Sequence, residues 1–317
     1  MIARERVEAA FHWLLGRAPE NEAAVRYHMG LANEAALRRS ILASPEFTDL
    51  FHQARTAPAD ALVGNAPLAA PAVVETEADG AVLDALWSRV AGAWAGMGER
   101  AHWSVLTFDA FAPDRLDDNR EVFAATAEGD ARLVDRALAR FPEVDPAGLD
   151  CVEYGAGVGR VTTRLADRFR RVTALDVSAP HLAHAEAALA GRANTACRRV
   201  GALADLDALE PYGFLYSRLV LQHNPPPLQA AILSRLFDRL APGGIALFQV
   251  ATRIEGYAYS VEADRTAPGA MEMHVLPQRA VFERLARAGL APVEAVPDDL
   301  MPGDRRFSFT LFLAHRP

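Results

Sequence analysis

The chain has 317 residues, 51% hydrophobic and 23% charged, with a formal net charge of −8. That is ordinary globular composition, long enough for one large domain and a smaller one. An acidic surface repels phosphate backbones, which sets nucleic acid aside as the main partner. Cys151 and Cys197 form no CxxC pair, which excludes a zinc ribbon or a redox dithiol, and a reducing compartment suits two such thiols. The first turns carry acids where a signal peptide is apolar, and no run approaches the ~18 apolar residues of a membrane span. The sequence therefore reads as a cytoplasmic protein.

Residues 1–57 read as a small all-helical domain. Val7, Phe11, Leu14 and Leu15 recur at helical spacing, with Gly16 where a helix ends. Pro19 opens a second helix that Gly30 closes. Asn33 caps a third helix from Glu34 to Ala43, and Ser44-Pro45 starts a fourth over residues 46–51. Residues 58–80, with Pro58, Pro67 and Pro71, form an Ala/Pro-rich linker. Residues 81–147 return to helical patterning, broken at Gly92–Gly98 and in a polar loop from Pro113 to Asn119. Trp87, Trp94 and Trp103 fall here, and aromatics at that density predict a helical segment packed on, or capping, the domain that follows.

From residue 148 the pattern changes. Strands are predicted at Leu149–Tyr154, Val172–Val177, Phe214–Leu221 and Ile245–Ala251. Helices alternate with them at Arg160–Arg170, Pro180–Ala190 and Pro227–Leu240. This alternation predicts an α/β domain over 148–317 with a doubly wound, mostly parallel sheet. After a helix at Gln278–Ala288, Arg306–Ala314 reads as a late antiparallel strand.

The first strand ends in Glu153-Tyr154-Gly155-Ala156-Gly157-Val158-Gly159. Glycines at a strand-to-helix turn permit a sharp bend and let a ligand approach the backbone. In a doubly wound sheet, ligands bind at the carboxyl ends of the strands. A dinucleotide fingerprint would need its third glycine where Arg160 stands, and the Gly-Lys-Ser/Thr ending of a phosphate-binding loop is missing. Asp176 ends the second strand, 17 residues after Gly159, where an acid can accept both hydroxyls of a ribose.

The E-x-G-x-G-x-G run resembles the first motif of the class I S-adenosylmethionine-dependent methyltransferases. Leu240-Ala241-Pro242-Gly243-Gly244 resembles the turn that leads into their fifth strand. The resemblance implies a seven-stranded sheet of that family and S-adenosylmethionine as cofactor. It implies cofactor contacts from Glu153, Tyr154, Gly155, Ala156, Gly157 and Arg160 in the turn. It adds Asp176 and Val177 after the second strand, Ala202 and Leu203 beyond the third, and Ser217 and Arg218 at the fourth. The sequence departs from the family at Ala202, where an acid commonly meets the adenine, so that backbone groups or Asp205 would read it. It departs again at Gly213-Phe214, which replace an Asp. Separately, Leu14-Leu15-Gly16-Arg17-Ala18-Pro19 and Leu42-Ala43-Ser44-Pro45-Glu46-Phe47 resemble a short helical domain attached to bacterial glycosyltransferases and polysaccharide-modifying enzymes. That likeness implies a place in polysaccharide biosynthesis, a glycan acceptor, and contact with a glycan enzyme or a second copy through residues 1–57.

Methyl transfer is an in-line displacement, so the protein mainly aligns the acceptor, and a hydroxyl acceptor needs a base. His223, after the fourth strand, is the leading base; the bland reading is that it orders the Asn224-Pro225-Pro226-Pro227 turn. His274 is the second catalytic candidate. Glu272 and His274 share a face of an extended chain, but with His223 they show no spacing that singles out a metal, so no metal is assigned. Arg253, Tyr257 and Tyr259 suit a sugar or carboxylate-bearing acceptor. The expected activity is O-methylation of a small molecule or glycan. The rivals are a non-catalytic cofactor-binding scaffold, a nicotinamide-dependent oxidoreductase, disfavoured by Arg160, and a protein or nucleic-acid methyltransferase, with net acidity against nucleic acid and Pro227 standing where an Asn-Pro-Pro-Tyr motif would end.

Overall fold

The computed structural model describes residues 2–15, 17–46, 73–264, 272–298 and 307–317. The chain divides into two units, Met1–Ala70 and Pro71–Pro317. Gly16, the segment from Phe47 through residue 72, Met271 and Arg306 lie outside the described residues, as does the side chain of Leu14.

The first unit contains α1 (Arg4–Leu15), α2 (Glu22–Met29) and α3 (Glu34–Leu42). Asn21 and Asn33 start α2 and α3, their Oδ1 atoms accepting the amides of Ala24 and Ala36 at 2.9 Å. Such caps satisfy donors that a helix start leaves orphaned. Val7, Phe11 and Leu15 of α1 meet Leu37 and Ile41 of α3 in a small core. The first helix follows the apolar spacing of Val7, Phe11 and Leu15 and the third starts at the expected Asn33 cap, whereas the second starts at Asn21 rather than at Pro19.

In the second unit, α4 (Gly80–Gly96), α5 (Ala101–Val105), α6 (Leu116–Ala125) and α7 (Ala127–Leu138) precede the sheet. The seven strands stand in the order β3-β2-β1-β4-β5-β7-β6. They are β1 (Asp150–Tyr154), β2 (Arg171–Asp176), β3 (Thr195–Arg199), β4 (Tyr212–Ser217), β5 (Leu240–Ile254), β6 (Ala291–Pro297) and β7 (Phe307–His315). Strands β1 to β5 pair in parallel; β7 is antiparallel to both β5 and β6. The connecting helices are α8 (Thr162–Leu165), α9 (Ala179–Ala188), α10 (Pro226–Asp238), α11 (Val261–Asp264) and α12 (Gln278–Arg287). Leu86 and Trp87 of α4, Leu233 and Phe237 of α10 and Val281 of α12 pack into the core on one face. Val134 of α7 and Leu165 of α8 belong to the core on the other. Both faces are covered, which is why the central strands are apolar runs rather than alternating ones.

Four expectations need correction. The helix predicted over Arg160–Arg170 is α-helical only at Thr162–Leu165; past it the Arg170 amide donates to Leu149 O and Ala166 O accepts from Asn194 Nδ2, so the helical ladder stops. Gly92 does not break α4, because the alanines around it restore helix propensity. The Pro113–Asn119 loop is already helical from Leu116. Residues 73–79 are fixed rather than free linker. The Glu75 amide donates to Tyr259 O and the Tyr259 amide to Val73 O, both at 3.0 Å, and Asp79 caps α4. Strands β3 and β6 carried no readable alternation. Among the described residues no helix is long and apolar enough to cross a membrane.

Candidate active site

Sheet order reverses between β1 and β4, and the crevice at their carboxyl ends is where such folds hold ligands. The glycine turn is built for close approach. Gly155, Gly157 and Gly159 all have left-handed backbones, with φ of +81, +56 and +77°. A Cβ on Gly155 would lie 2.2 Å from Val220 Cγ2, and one on Gly157 would lie 2.8 Å from Val105 Cγ2. The amides of Gly155 and Ala156 both donate to Leu175 O, at 2.8 and 2.9 Å, tying the turn to β2. Asp176 completes the join. Its Oδ2 accepts the Gly157 amide at 2.8 Å and its Oδ1 the Ser178 amide at 2.9 Å. Burial raises the pKa of this carboxyl, and the backbone donors oppose the rise. Each oxygen keeps capacity for a further donor.

A cavity of about 620 Å³ opens over this turn, within the size range of small-molecule sites. Glu153, Tyr154, Gly155, Ala156, Gly157 and Arg160 line it, as do Asp176, Val177, Arg218 and His223. The other candidates stand elsewhere. Ser217 Oγ donates to Tyr154 O at 2.9 Å, joining β4 to β1. Leu203 is a core residue. Ala202 and Gly201 give their amides to Asp205 Oδ2 at 3.0 and 2.8 Å, so Asp205 closes that turn.

Glu153 is buried, and its Oε2 accepts from Thr162 Oγ1 at 2.6 Å. Burial pushes its carboxyl up to about 8. Behind it lies a network that the motif did not reveal. Asp130 of α7 takes Arg160 Nη1 at 2.7 Å, Arg218 Nη1 at 2.9 Å and the Tyr216 hydroxyl at 2.6 Å. Burial works to raise the Asp130 pKa, yet the two guanidinium charges hold it below the usual range. Arg218 also grips Asp298 with two bonds, at 2.7 and 2.9 Å. Arg160 Nε is buried and has no protein partner. The signal for Asp130 was present: it falls in step with Ala127, Ala131 and Val134 on the buried face of α7.

The exit from β4 forms the opposite wall. Leu219, Val220, Gln222, His223 and Asn224 all line the cavity. Leu219 has φ 65°, the only positive value for a non-glycine among the described residues. That conformation costs about 1–2 kcal/mol in an L-residue. His223 Nδ1 lies 3.0 Å from Glu272 O. A carbonyl can only accept, so Nδ1 carries the proton and Nε2 keeps a free lone pair. Burial lowers the pKa of this imidazole. The Trp94 ring stands 5.3 Å from His223 and 6.1 Å from His181, edge-on to each. His181 Nδ1 lies 2.6 Å from Ser178 Oγ and its Nε2 2.8 Å from Ser104 Oγ. Ser104 Oγ donates to Ala101 O, so His181 Nε2–H donates to Ser104, and burial pushes the ring down to about 4. Trp94, Ser104 and His181 line the cavity, and sequence reasoning gave none of them a definite role.

His274 does not line the cavity. Its Nδ1 meets the Tyr257 hydroxyl at 3.0 Å and its Nε2 lies 3.5 Å from Glu272 Oε2. Burial pushes it down to about 4. It packs the insertion after β5, away from the cavity wall that His223 lines. Among the described residues no three His, Cys, Asp or Glu side chains converge as a metal site.

This donor set fits an adenosyl amino-acid cofactor. It offers a buried carboxyl for an ammonium, a carboxylate for vicinal hydroxyls, and an arginine with an unpartnered nitrogen. A methyltransferase-domain family model matches residues 124–295, more than half the chain. Magnesium protoporphyrin IX methyltransferase from Synechocystis PCC 6803, solved with S-adenosylhomocysteine, shares 17% identity. The match covers 73% of this chain and 100% of that one, with a TM-score of 0.52. The N-methyltransferase NodS from Bradyrhizobium japonicum WM9, 19% identical, is matched over 71% of this chain and 99% of that one, with a TM-score of 0.46. No curated protein matches the sequence. The fold, the glycine turn and the family match place this chain among the class I S-adenosylmethionine-dependent methyltransferases.

Proposed function

We propose that the enzyme methylates an oxygen of a small-molecule acceptor, with His223 removing the proton. The observation that carries this reading is the His223 ring itself. It stands in the cavity wall with Nδ1 tied to Glu272 O and Nε2 free, and burial keeps it unprotonated near neutrality. When bound, S-adenosylmethionine supplies the methyl group as an electrophilic carbon on a sulfonium.

The chain's own residues hold and orient. Ionised Glu153 pairs with the cofactor ammonium, and Arg160 takes its carboxylate. Asp176 accepts the ribose hydroxyls. Tyr154 to Gly157 present backbone, and Val177 faces the adenosyl end. Ser217, which pins Tyr154, supports this set from behind. Trp94 covers His223 and keeps water from the acceptor.

The resemblance of residues 1–57 to modules of polysaccharide-modifying enzymes extends the reading to a sugar or glycan acceptor. Trp94 and Phe309 in the cavity wall support a ring-shaped one, since aromatic faces stack on rings. The helical unit would then contact a glycan enzyme or a second copy. The test is a screen of sugars, glycan fragments and phenols for methyl uptake from labelled S-adenosylmethionine. On any acceptor found, His223→Ala should lower kcat by about 10²- to 10⁴-fold, with S-adenosylhomocysteine affinity kept within a few-fold. A His223→Ala enzyme of undiminished kcat would remove the base assignment.

A further inference from the structure

Leu219 occupies a left-handed backbone that a leucine does not choose unaided. It sits where β4 must turn back over the cofactor crevice. The next residue, Val220, fills the space that Gly155 leaves by lacking a Cβ. Gln222 and His223 follow in a short 3-10 turn, Leu221–His223. The wall that faces the reacting atoms therefore depends on one strained residue.

What holds it is Gln249, in the middle of β5 and fully buried. Its Oε1 accepts the Leu219 amide at 3.0 Å, and its Nε2 donates to Asp298 Oδ2 at 3.1 Å. Asp298 is itself gripped by Arg218, whose other arm reaches Asp130 and, through it, Arg160 beside the glycine turn. Both ends of the Gln249 amide are therefore engaged, and its orientation is fixed by its partners: Asp298 can only accept and the Leu219 amide can only donate. A buried amide engaged at both ends rigidifies what it touches.

We infer that Gln249 is a positioning residue for methyl transfer, holding Leu219 left-handed so that Val220 locks against Gly155 and His223 faces the cofactor. It touches neither cofactor nor acceptor. The inference rests on the proposed placement of the cofactor and of His223.

The test uses the full-length protein with S-adenosylhomocysteine as the probe. Glycine adopts the left-handed backbone freely, so Leu219→Gly makes the Gln249 bond dispensable. Gln249→Met, similar in length but without polar atoms, should weaken S-adenosylhomocysteine binding about tenfold by calorimetry. It should also raise the His223 pKa, read from its ring-proton NMR signal, as the wall loosens and water enters. Leu219→Gly alone sets the reference affinity of the second background, in which adding Gln249→Met should cost little. The Leu219→Gly/Gln249→Met pair should regain most of the lost affinity. An equal loss in both backgrounds would overturn the inference, leaving Gln249 as core packing only. So would a Gln249→Met protein with unchanged affinity and an unchanged His223 signal. Should Gln249→Met fail to fold, hydrogen exchange of the Leu219 amide in the unaltered protein decides. Protection like that of the central strands supports the bond, and free exchange overturns it. Failure of the unaltered protein to bind the probe at all would instead sink the cofactor placement, a separate outcome.

Discussion

Replacing Glu153 by Gln isolates the charge that the cofactor ammonium would meet. Burial lifts this carboxyl from 4.5 to about 8, so near neutrality the ligand-free protein holds it protonated. Binding an ammonium needs the carboxylate, so each binding event releases one proton. Affinity for S-adenosylhomocysteine should then rise about tenfold per pH unit well below pH ~8, and roughly 50-fold or about 2.3 kcal/mol in all between pH ~6 and ~8. The rise should level off near pH ~8, where the carboxyl ionises in the ligand-free protein as well. Gln is the neutral isostere and still accepts from Thr162. Glu153→Gln should abolish the slope and lower affinity at pH ~8 by about 1.5–3 kcal/mol, the loss of a charge-assisted bond. Stability has the opposite sign. A carboxyl raised in the folded state keeps its proton where the unfolded chain releases it, so the unliganded protein should lose stability as pH climbs from about 4.5 through about 8. The variant should lack that loss. Calorimetry in buffers of different ionisation heat counts the protons directly. 5′-Methylthioadenosine, which lacks the amino-acid part, should show no slope. Affinity flat across this range, or a slope that survives in Glu153→Gln, would refute the reasoning.

Other expectations follow from the same geometry. Gly155→Ala combines left-handed strain of about 1–2 kcal/mol with overlap on Val220 costing about 1–3 kcal/mol more; adding Val220→Ala should restore the overlap part in urea unfolding, and strictly additive losses would contradict the interlock. Arg160→Met leaves Asp130 short of one of its two arginines and should cost about 3 kcal/mol or more of stability, measured the same way. His181 is buried and pushed from 6.5 to about 4, so the unfolded chain binds the extra proton in between; stability should fall, by up to about 3 kcal/mol from this residue, as pH drops from about 6.5 to about 4. His181→Gln should flatten that fall in denaturant titrations at pH ~5 and ~7.

The layered fold was legible because burial on both faces makes the central strands apolar runs, and β1, β2, β4 and β5 announce themselves in that way. Strands β3 and β6 did not. The first is half-exposed and carries Arg198 and Arg199, and the second is an exposed edge whose pairing comes entirely from β7. In the site, glycine spacing found the turn and Asp176, since those positions need special backbone or a strand-end acid. Spacing could not find Trp94, Ser104 or His181, which reach the cavity by tertiary packing from elements far apart in sequence. Nor could it separate His223 from His274. The two histidines look alike in the chain, and only the folded structure shows that His223 lines the cavity while His274 packs beside Tyr257. Ser217 Oγ bonds Tyr154 O, and Leu203, in a 3-10 turn beyond β3, packs into the core, placements that motif spacing does not reveal.

The most direct measurement is a crystal structure of the protein with S-adenosylhomocysteine. The ribose hydroxyls should lie within hydrogen-bond distance of the Asp176 carboxylate, with the amino group at Glu153 and the sulfur facing His223. A ligand bound elsewhere, or a ribose turned away from Asp176, would contradict the assignment of this cavity as the methyl-transfer site.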